Sequence, residues 1–208
     1  SHNIKSQMMI DEGLDKKLKW FCTTRVDRFD FKLAKIMRKA GCRMMTFGIE
    51  SGNQKVLDLN GKGITLSQTR KAMKAAHDAG IRVIGHFIIG LVGSSPETER
   101  ETIDFAKELD IDFAQFYVAT PFPGSKFYHM ACKNKWFEGE DWSAVEQASA
   151  VVSYPDFSAK QIQEWRRRAY LEFYLRPSAI YRGLSMISFR QLLRMPKYFF
   201  AFVRWMRK

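Results

Sequence analysis

Hydrophobic residues along the chain follow two patterns that alternate. Short, nearly continuous apolar runs are typical of buried strands, and longer stretches with apolar residues every three or four positions are typical of amphipathic helices. The apolar runs predict strands at residues 19–24, 44–49, 83–89 and 113–118. The periodic stretches predict helices at residues 30–40, 65–80, 95–109 and 158–174. Strand and helix therefore alternate over most of the chain.

Residues that favour helix ends support these boundaries. Thr65 and Gln68 match a capping box, in which each side chain bonds the backbone N–H of the other residue. Ser95 followed by Pro96 combines an N-cap with a proline at the first helical position. The glycine-rich segment between the second strand and Gly63 is predicted as a loop.

Strands that alternate with helices of this length predict an α/β fold with a parallel sheet and right-handed crossovers. In such a sheet, functional side chains are expected at the carboxyl ends of the strands. The alternation is predicted to end after residue 124. We therefore divide the sequence into an α/β body at residues 1–132, a connecting segment at 133–157 and a basic helical C-terminal extension at 158–208.

The composition indicates a folded body and a reducing environment. With 208 residues, of which 46% are hydrophobic and 27% charged, the chain can bury a core, which excludes a disordered chain. The cysteines, Cys22, Cys42 and Cys132, are too far apart in sequence for a zinc knuckle, a disulfide framework or a complete iron–sulfur ligand set. We therefore expect a cytoplasmic protein with no metal ligands among these residues.

The net charge of +12 is unevenly distributed. In residues 158–208, 12 of the 34 lysines and arginines accompany only two acids, Glu164 and Glu172. Within residues 190–208, basic side chains recur on one helical face and apolar side chains surround them. A basic amphipathic helix binds anionic membrane surfaces, so we expect peripheral membrane association through 190–208. The alternative is a helix that packs on the body with its charges in solvent.

Two charged residues follow the second predicted strand. Glu50 lies in the segment Gly48–Gly52, at the end of an otherwise apolar strand. Its carboxylate can cap the next helical turn or accept hydrogen bonds from two neighbouring hydroxyls of a ribose. Lys62 lies between two glycines, either as a solvated loop lysine or as a partner for a ligand carboxylate. The surrounding sequence does not match a phosphate-binding P-loop.

Three further candidates follow the pattern of the third and fourth strands. His86 alternates with apolar neighbours and faces either a cleft or the core. Gly90 begins a turn that lacks the third glycine of a dinucleotide-binding motif. Pro121 begins the segment Pro121–Gly124, which is either a turn or the wall of a nucleoside pocket.

Several short segments occur in an order and spacing that resembles the later half of the core of a radical S-adenosylmethionine (SAM) enzyme. These segments are Arg25–Asp27, Ala40–Cys42, Phe47–Gly52, Lys62–Thr65, Gly80–Val83, Phe87–Leu91 and Pro121–Gly124. The segment Glu172–Pro177 is similar to the tail of the class that carries a cobalamin-binding domain upstream. That class includes cobalamin-dependent radical SAM methylases and the anaerobic magnesium-protoporphyrin ester cyclase. The resemblance covers residues 15–182.

The resemblance implies a partial TIM-like (β/α) barrel with parallel strands. Members of the family bind a [4Fe–4S] cluster through a Cys-x3-Cys-x2-Cys loop, and the open iron of the cluster binds SAM. This sequence contains no such triplet, so the resemblance implies that it begins after the second barrel strand. We expect the missing N-terminal half to be its partner, and the chain alone to be inactive and to bind neither cofactor. A homodimer or a covering segment would protect the unpaired edge at 19–24.

By resemblance, Glu50 and His86 contact the ribose of SAM, and Lys62 pairs with the SAM carboxylate. Gly90 and Pro121 lie where backbone groups of relatives meet the adenine. The turn after Gly90 departs from the usual Gly-Leu-Pro-Gly-Glu sequence at its third and fifth residues, where this chain has valine and serine. The details of the adenine contact are therefore expected to differ.

The resemblance implies an oxidoreductase or methyltransferase as the parent protein. Its expected cofactors are SAM, a [4Fe–4S] cluster and, through an upstream domain, cobalamin. It would generate a 5′-deoxyadenosyl radical and act on a small-molecule or lipid-like substrate, whose identity the fold does not determine. A function of another class, a basic module that binds RNA or another anionic surface on an α/β scaffold, is the alternative.

Overall fold

The computed structural model describes residues 2–137 and 149–185, with the backbone alone for 183–185. Its strands form one parallel sheet, in the order in which they occur along the chain. They are β1 (Trp20–Thr24), β2 (Cys42–Glu50), β3 (Arg82–Ile89) and β4 (Phe113–Val118). The predicted α/β fold with parallel strands is confirmed.

Helices precede, connect and follow these strands. They are α1 (His2–Asp11), α2 (Phe31–Lys39), α3 (Gln54–Leu59), α4 (Leu66–Asp78), α5 (Pro96–Glu108), α6 (Lys126–Lys133), α7 (Ala159–Tyr174) and α8 (Pro177–Ser185). The predicted helices correspond to α2, α4, α5 and α7. Complete capping boxes begin at Thr65, Ser95 and Ser158, so these helix starts are encoded locally.

Three helices lie where the sequence predicted none: α1, whose apolar residues do not fall on one helical face, and the short helices α3 and α6. α3 replaces part of the predicted loop before Gly63, and the Asn53 side chain caps it by accepting a hydrogen bond from the Val56 N–H. α6 continues the alternation after residue 124, where we expected it to stop, and Ser125 caps it. Helices of so few turns do not display the 3.6-residue period clearly, which is why the pattern did not predict them.

The two faces of the sheet have different surroundings. α2, α4, α5 and α7 pack against one face, where Phe47, Phe87 and Phe116 are fully buried. The opposite face carries alternate residues of each strand and is partly exposed, with 73% of Phe21 accessible. This opposite face is the inner face of the partial barrel, towards which a substrate or a further part of the fold can approach.

α7 covers the outer edge of β4 with side chains. The Tyr174 hydroxyl accepts a hydrogen bond from the Ala114 N–H at 3.2 Å and donates one to the Ala114 oxygen at 2.8 Å. The Tyr170 hydroxyl accepts from the Phe116 N–H at 3.2 Å, and Arg166 Nε donates to the Phe116 oxygen at 2.9 Å. These three side chains recur every fourth residue on one helical face. α7 therefore belongs to the same core as the body and satisfies a sheet edge that would otherwise be unpaired.

β1 lies at the other end of the sheet and pairs only with β2 in the part of the chain that the structure describes. The proposed membrane-binding segment, 190–208, lies outside the described residues, so its helix and its contacts stay predictions. Of the helices in 2–137 and 149–185, none has the length and apolar character needed to cross a bilayer.

Candidate functional site

A cavity of about 280 Å³ lies at the carboxyl ends of β2, β3 and β4. Its wall includes Glu50 at the end of β2, Ile88 of β3 and Thr120 just after β4. Asn60 and Lys62 add polar groups from the segment after α3. These residues meet because parallel strands end at the same edge of a sheet. The cavity is therefore the candidate functional site.

Glu50 and Lys62 form an ion pair on the cavity wall. Lys62 Nζ donates to Glu50 Oε1 at 2.6 Å, and 20% of each side chain is exposed. Both residues therefore lie on one rim of the sheet, as the sequence predicts. The alternative role of Glu50 as a helix cap is wrong, because Asn53 caps α3. The interpretation of Lys62 as a solvated loop lysine is also wrong, because its ammonium group is held in this pair.

Glu50 adopts a left-handed backbone conformation, with φ at 70°. In a residue other than glycine this conformation costs about 1–3 kcal/mol, and such residues concentrate at functional sites. Hydrogen bonds from α5 hold the turn: Thr102 Oγ1 accepts from the Gly52 N–H at 3.0 Å and lies 3.1 Å from Ser51 Oγ. The fold therefore maintains an unfavourable conformation that directs the Glu50 carboxylate into the cavity.

Gly48 and Arg25 position this ion pair. A Cβ atom at Gly48 would lie 2.6 Å from Glu50 Oε1 and 3.0 Å from Lys62 Nζ, so a side chain there would displace both groups. Arg25 Nη2 donates to the backbone oxygen of Lys62 at 3.2 Å, and Arg25 Nε donates to Asp27 Oδ1 at 2.9 Å. Arg25 therefore connects the segment after β1 to the loop that carries Lys62.

His86 lies on the inner face of β3, in register with Gln115 of β4. Its ring contacts the Tyr117 ring edge-on, with the centroids 5.3 Å apart. Burial lowers the pKa of His86, while the Glu50 charge and the Gln115 hydrogen bond act in the opposite direction. The lowered pKa favours the neutral imidazole, which offers one donor and one acceptor. It does not line the cavity, to which β3 contributes Ile88.

Gly90 and Pro121 lie beside the cavity, and their neighbours line it. Leu91 contributes to the wall immediately after Gly90, and Thr120 does so immediately before Pro121. Pro121 itself is buried. The structure therefore brings both segments to the cavity edge but uses residues next to the ones that the sequence predicted.

The Gly90 turn is bound by side chains that the sequence did not single out. Glu99 Oε1 accepts a hydrogen bond from the Gly90 N–H at 2.8 Å, and the Tyr154 hydroxyl donates to the Gly90 oxygen at 2.8 Å. Asn60 Nδ2 donates to the Val92 oxygen at 2.9 Å. Glu99 lies among the acids that commonly begin a helix, so nothing in the sequence distinguished it from a solvent-exposed residue.

Glu99 is expected to make stability fall as the pH rises. Burial raises its pKa to about 7, although the Gly90 N–H and the Ser94 hydroxyl lower it. The folded state therefore binds more protons than the unfolded state between the ordinary pKa of a glutamate and about 7, and stability is lost across that window. The expected loss is about 3 kcal/mol. Denaturant unfolding at about pH 5 and about pH 8 checks it, and the same pH dependence in Glu99→Gln would contradict it.

Comparison with known proteins identifies the family. The model of the radical SAM superfamily matches residues 3–106, which is half of the 208-residue chain. The chain belongs to the radical SAM superfamily. The order of the barrel segments, on which the resemblance rests, is consistent with this assignment.

The chain is similar to two curated proteins over most of its length. It is 39% identical over 173 residues to an uncharacterized methyltransferase of Pyrococcus horikoshii, covering 83% of this chain and 37% of that protein. It is 26% identical over 185 residues to the anaerobic magnesium-protoporphyrin IX monomethyl ester cyclase of Cereibacter sphaeroides, covering 88% of this chain and 30% of that protein. The chain therefore spans about a third of the length of these relatives.

Solved structures share the fold. The radical SAM methyltransferase TsrM from Kitasatospora setae, with cobalamin and a [4Fe–4S] cluster bound, matches with a TM-score of 0.59 and 17% identity over 78% of this chain and 34% of that chain. Coproporphyrinogen III oxidase from Escherichia coli matches with a TM-score of 0.55 and 15% identity over 75% of this chain and 32% of that chain. At these identities, the likeness supports the partial barrel fold and not a particular reaction.

Proposed function

We propose that this chain holds SAM at the cavity between β2 and β4, as the SAM-binding portion of a radical SAM enzyme. The observation that carries the proposal is the ion pair of Glu50 and Lys62. It lies at the carboxyl end of the sheet, and 20% of each side chain is exposed. Glu50 has a left-handed backbone conformation, and the pair occupies the space that a side chain at Gly48 would need. A carboxylate and an ammonium group placed side by side provide partners for the hydroxyls and the carboxylate of one zwitterionic nucleoside.

The described residues fit the organic part of SAM. Glu50 would accept hydrogen bonds from the ribose hydroxyls, and Lys62 would pair with the SAM carboxylate. A contact between His86 and the ribose, which the resemblance implies, would require the ribose to extend beyond the cavity along β3. Backbone groups around Gly90 and before Pro121 would meet the adenine. When bound to its cluster, SAM supplies a 5′-deoxyadenosyl radical by reductive cleavage.

The described residues do not fit the cluster. No group of three His, Cys, Asp or Glu side chains within 2–137 and 149–185 is arranged to hold a metal ion. Cys22 and Cys42 contact Met45, with Sγ–Sδ distances of 3.4 Å and 3.6 Å, and Cys42 is buried while Cys22 is half-buried. We propose that the cluster ligands and the remaining barrel strands belong to another part of the same protein, next to the β1 edge.

The relatives suggest which chemistry the whole protein performs. The protein from Pyrococcus is named a methyltransferase and the one from Cereibacter a cyclase. We propose that the complete protein is a radical SAM enzyme that transfers a methyl group or forms a ring by oxidation, with cobalamin as a candidate second cofactor. Its substrate would be a small or lipid-like molecule that reaches the inner face of the sheet.

The experiment compares the complete natural protein with the 208-residue chain, both reconstituted anaerobically with iron and sulfide and then reduced with SAM present. We expect the complete protein to form 5′-deoxyadenosine. The chain alone should give no stoichiometric [4Fe–4S] absorbance and no product, because it lacks the cysteine triplet. A stable, SAM-cleaving cluster in the chain alone would contradict the proposal that the cluster ligands lie in another part of the protein. A complete protein that neither binds nor cleaves SAM would overturn the proposed function.

We also propose that residues 190–208 dock the protein on an anionic membrane. The support is their charge and apolar content, since each cation near anionic lipid contributes about 1 kcal/mol. Cosedimentation with phosphatidylglycerol vesicles should require residues 190–208, weaken with salt and be absent with neutral vesicles. Unchanged vesicle binding after deletion of the segment would refute this, as would a protein that ignores anionic vesicles but binds RNA.

A further inference from the structure

The backbone N–H and the backbone oxygen of Gly90 each form a hydrogen bond with a side chain from another part of the chain. Its N–H donates to Glu99 Oε1 in α5, and its oxygen accepts from the Tyr154 hydroxyl, which belongs to the segment before α7. Gly90 is left-handed with φ at 79°, and a Cβ atom there would lie 2.8 Å from a side-chain carbon of Ile162. The peptide is therefore fixed in orientation and cannot carry a side chain.

Glu99 is an unusual residue for this position because it is buried without a cation. Its exposed fraction is 1%. Its hydrogen-bond partners are the Gly90 N–H and the Ser94 hydroxyl, and no positive group contributes to its electrostatics among the residues that the structure describes. A buried carboxylate without a counter-ion destabilises a fold relative to an apolar residue of similar size. Its presence therefore calls for a reason other than stability.

Tyr154 completes the arrangement from the opposite side. Burial and the nearby Glu99 charge raise the pKa of Tyr154, so its hydroxyl stays protonated and is available as a donor. Its ring packs edge-on against Trp136, with the centroids 4.9 Å apart. The donor is therefore held rigidly against the Gly90 oxygen.

The turn that begins at Gly90 leads directly into the cavity wall. Leu91 lines the cavity, and Asn60, which also lines it, donates to the Val92 oxygen at 2.9 Å. Any change in the backbone conformation of Gly90 would therefore move Leu91 and the backbone groups beside it. In this chain, serine stands at the fifth position of the turn, where the resemblance leads one to expect glutamate. The carboxylate at this turn is that of Glu99, which accepts a hydrogen bond from the Gly90 N–H.

We propose that Glu99 and Tyr154 are positioning residues, which fix the Gly90 peptide so that the turn presents its backbone and Leu91 to the adenine end of SAM. The inference rests on the proposed function, because it names residues that act on SAM through the turn. Neither side chain needs to touch the ligand.

The test uses the complete natural protein with its cluster reconstituted. Glu99→Leu keeps the buried volume but removes the acceptor, Tyr154→Phe removes only the hydroxyl, and Glu97→Gln removes an exposed acid from the same helical turn as a control. Three quantities are measured: the midpoint of unfolding, hydrogen exchange of the peptide that contains Gly90, and the affinities for S-adenosylhomocysteine and for methionine.

We expect Glu99→Leu to unfold at nearly the same midpoint as the parent protein at about pH 8, because removal of the buried charge offsets the loss of the acceptor for the Gly90 N–H. The Gly90 amide should nevertheless exchange at least about tenfold faster, and the affinity for S-adenosylhomocysteine should fall about tenfold. Tyr154→Phe should show the same loss of affinity in smaller degree. Methionine affinity should not change, since methionine lacks the adenine, and Glu97→Gln should behave as the parent.

If Glu99 and Tyr154 only stabilise the fold, their loss should lower stability and weaken the binding of both ligands. If Glu99→Leu and Tyr154→Phe leave both the Gly90 exchange and the S-adenosylhomocysteine affinity unchanged, or if the affinities for both ligands fall together with stability, the inference is overturned. Failure of the proposed function is distinguishable, because then Glu50→Gln would also leave the affinity for S-adenosylhomocysteine unchanged. Exchange of the Gly90 amide in the ligand-free protein still reports whether Glu99 and Tyr154 restrict the Gly90 backbone.

Discussion

Glu50→Gln and Lys62→Met are each expected to weaken SAM binding to the complete, reconstituted protein by about 10- to 100-fold. Each substitution removes a charged hydrogen-bonding partner, and a hydrogen bond to a charged group contributes about 1.5–3 kcal/mol. The low exposure of both side chains reduces solvent screening of these charges. Anaerobic calorimetry with SAM measures the affinities directly.

Gly48→Ala tests the geometry of the pair without removing either charge. Its methyl group would occupy the space within 2.6 Å of Glu50 Oε1, so the carboxylate must move and SAM affinity should fall by about tenfold or more. Lys55→Met is the matched control for Lys62→Met, because Lys55 is exposed on α3 away from the cavity lining. If the Glu50 and Lys62 variants bind SAM as tightly as the Lys55 control does, there is no basis for placing SAM between Glu50 and Lys62.

The double substitution Tyr170→Phe with Tyr174→Phe is expected to lower the free energy of unfolding by about 2–6 kcal/mol. Each lost hydroxyl leaves backbone groups of β4 without a partner in a buried environment, at about 1–3 kcal/mol each. The ring packing is retained, so the effect isolates the hydrogen bonds to Ala114 and Phe116. Urea unfolding of the same protein with and without the two substitutions measures the difference.

Tyr181→Phe is the control for these tyrosines, because 75% of Tyr181 is exposed. It should change stability by less than about 0.5 kcal/mol. The amides of Ala114 and Phe116 should exchange faster in the double variant, whereas amides of β2 should change only as much as global stability does. A double variant that is as stable as the parent, with both amides still protected, would show that water or another group satisfies this edge.

Local sequence determined most of the secondary structure. The four strands lie within two residues of the predicted bounds because each is a short apolar run between polar or glycine-containing segments. The helices that begin at capping boxes were equally predictable, because a cap involves residues only three positions apart. α1, α3 and α6 were not predicted, because α3 and α6 are too short to show a clear period and the apolar residues of α1 do not fall on one helical face.

The sequence also singled out Glu50 and Lys62, although only in part from physical reasoning. An acid after an apolar strand and a lysine between glycines were each open to an ordinary structural interpretation. The family resemblance favoured ligand roles for Glu50 and Lys62, and the structure then placed them 2.6 Å apart on one rim. Of the other residues proposed, Gly90 and Pro121 adjoin residues that line the cavity, whereas His86 lies farther back on β3, and their ligand roles stay predictions.

The sequence by itself thus determined the order of strands and helices, the edge of the sheet at which chemistry is expected and the uneven distribution of charge. Only the tertiary structure decided that Glu99 is buried, that Tyr154 reaches a residue 64 positions earlier, and that α7 satisfies the edge of β4. These features depend on the desolvation of polar groups and on hydrogen bonds between residues far apart in the chain. A residue's desolvation and distant partners are set by how the whole chain packs, and no local pattern of apolar and polar residues records them.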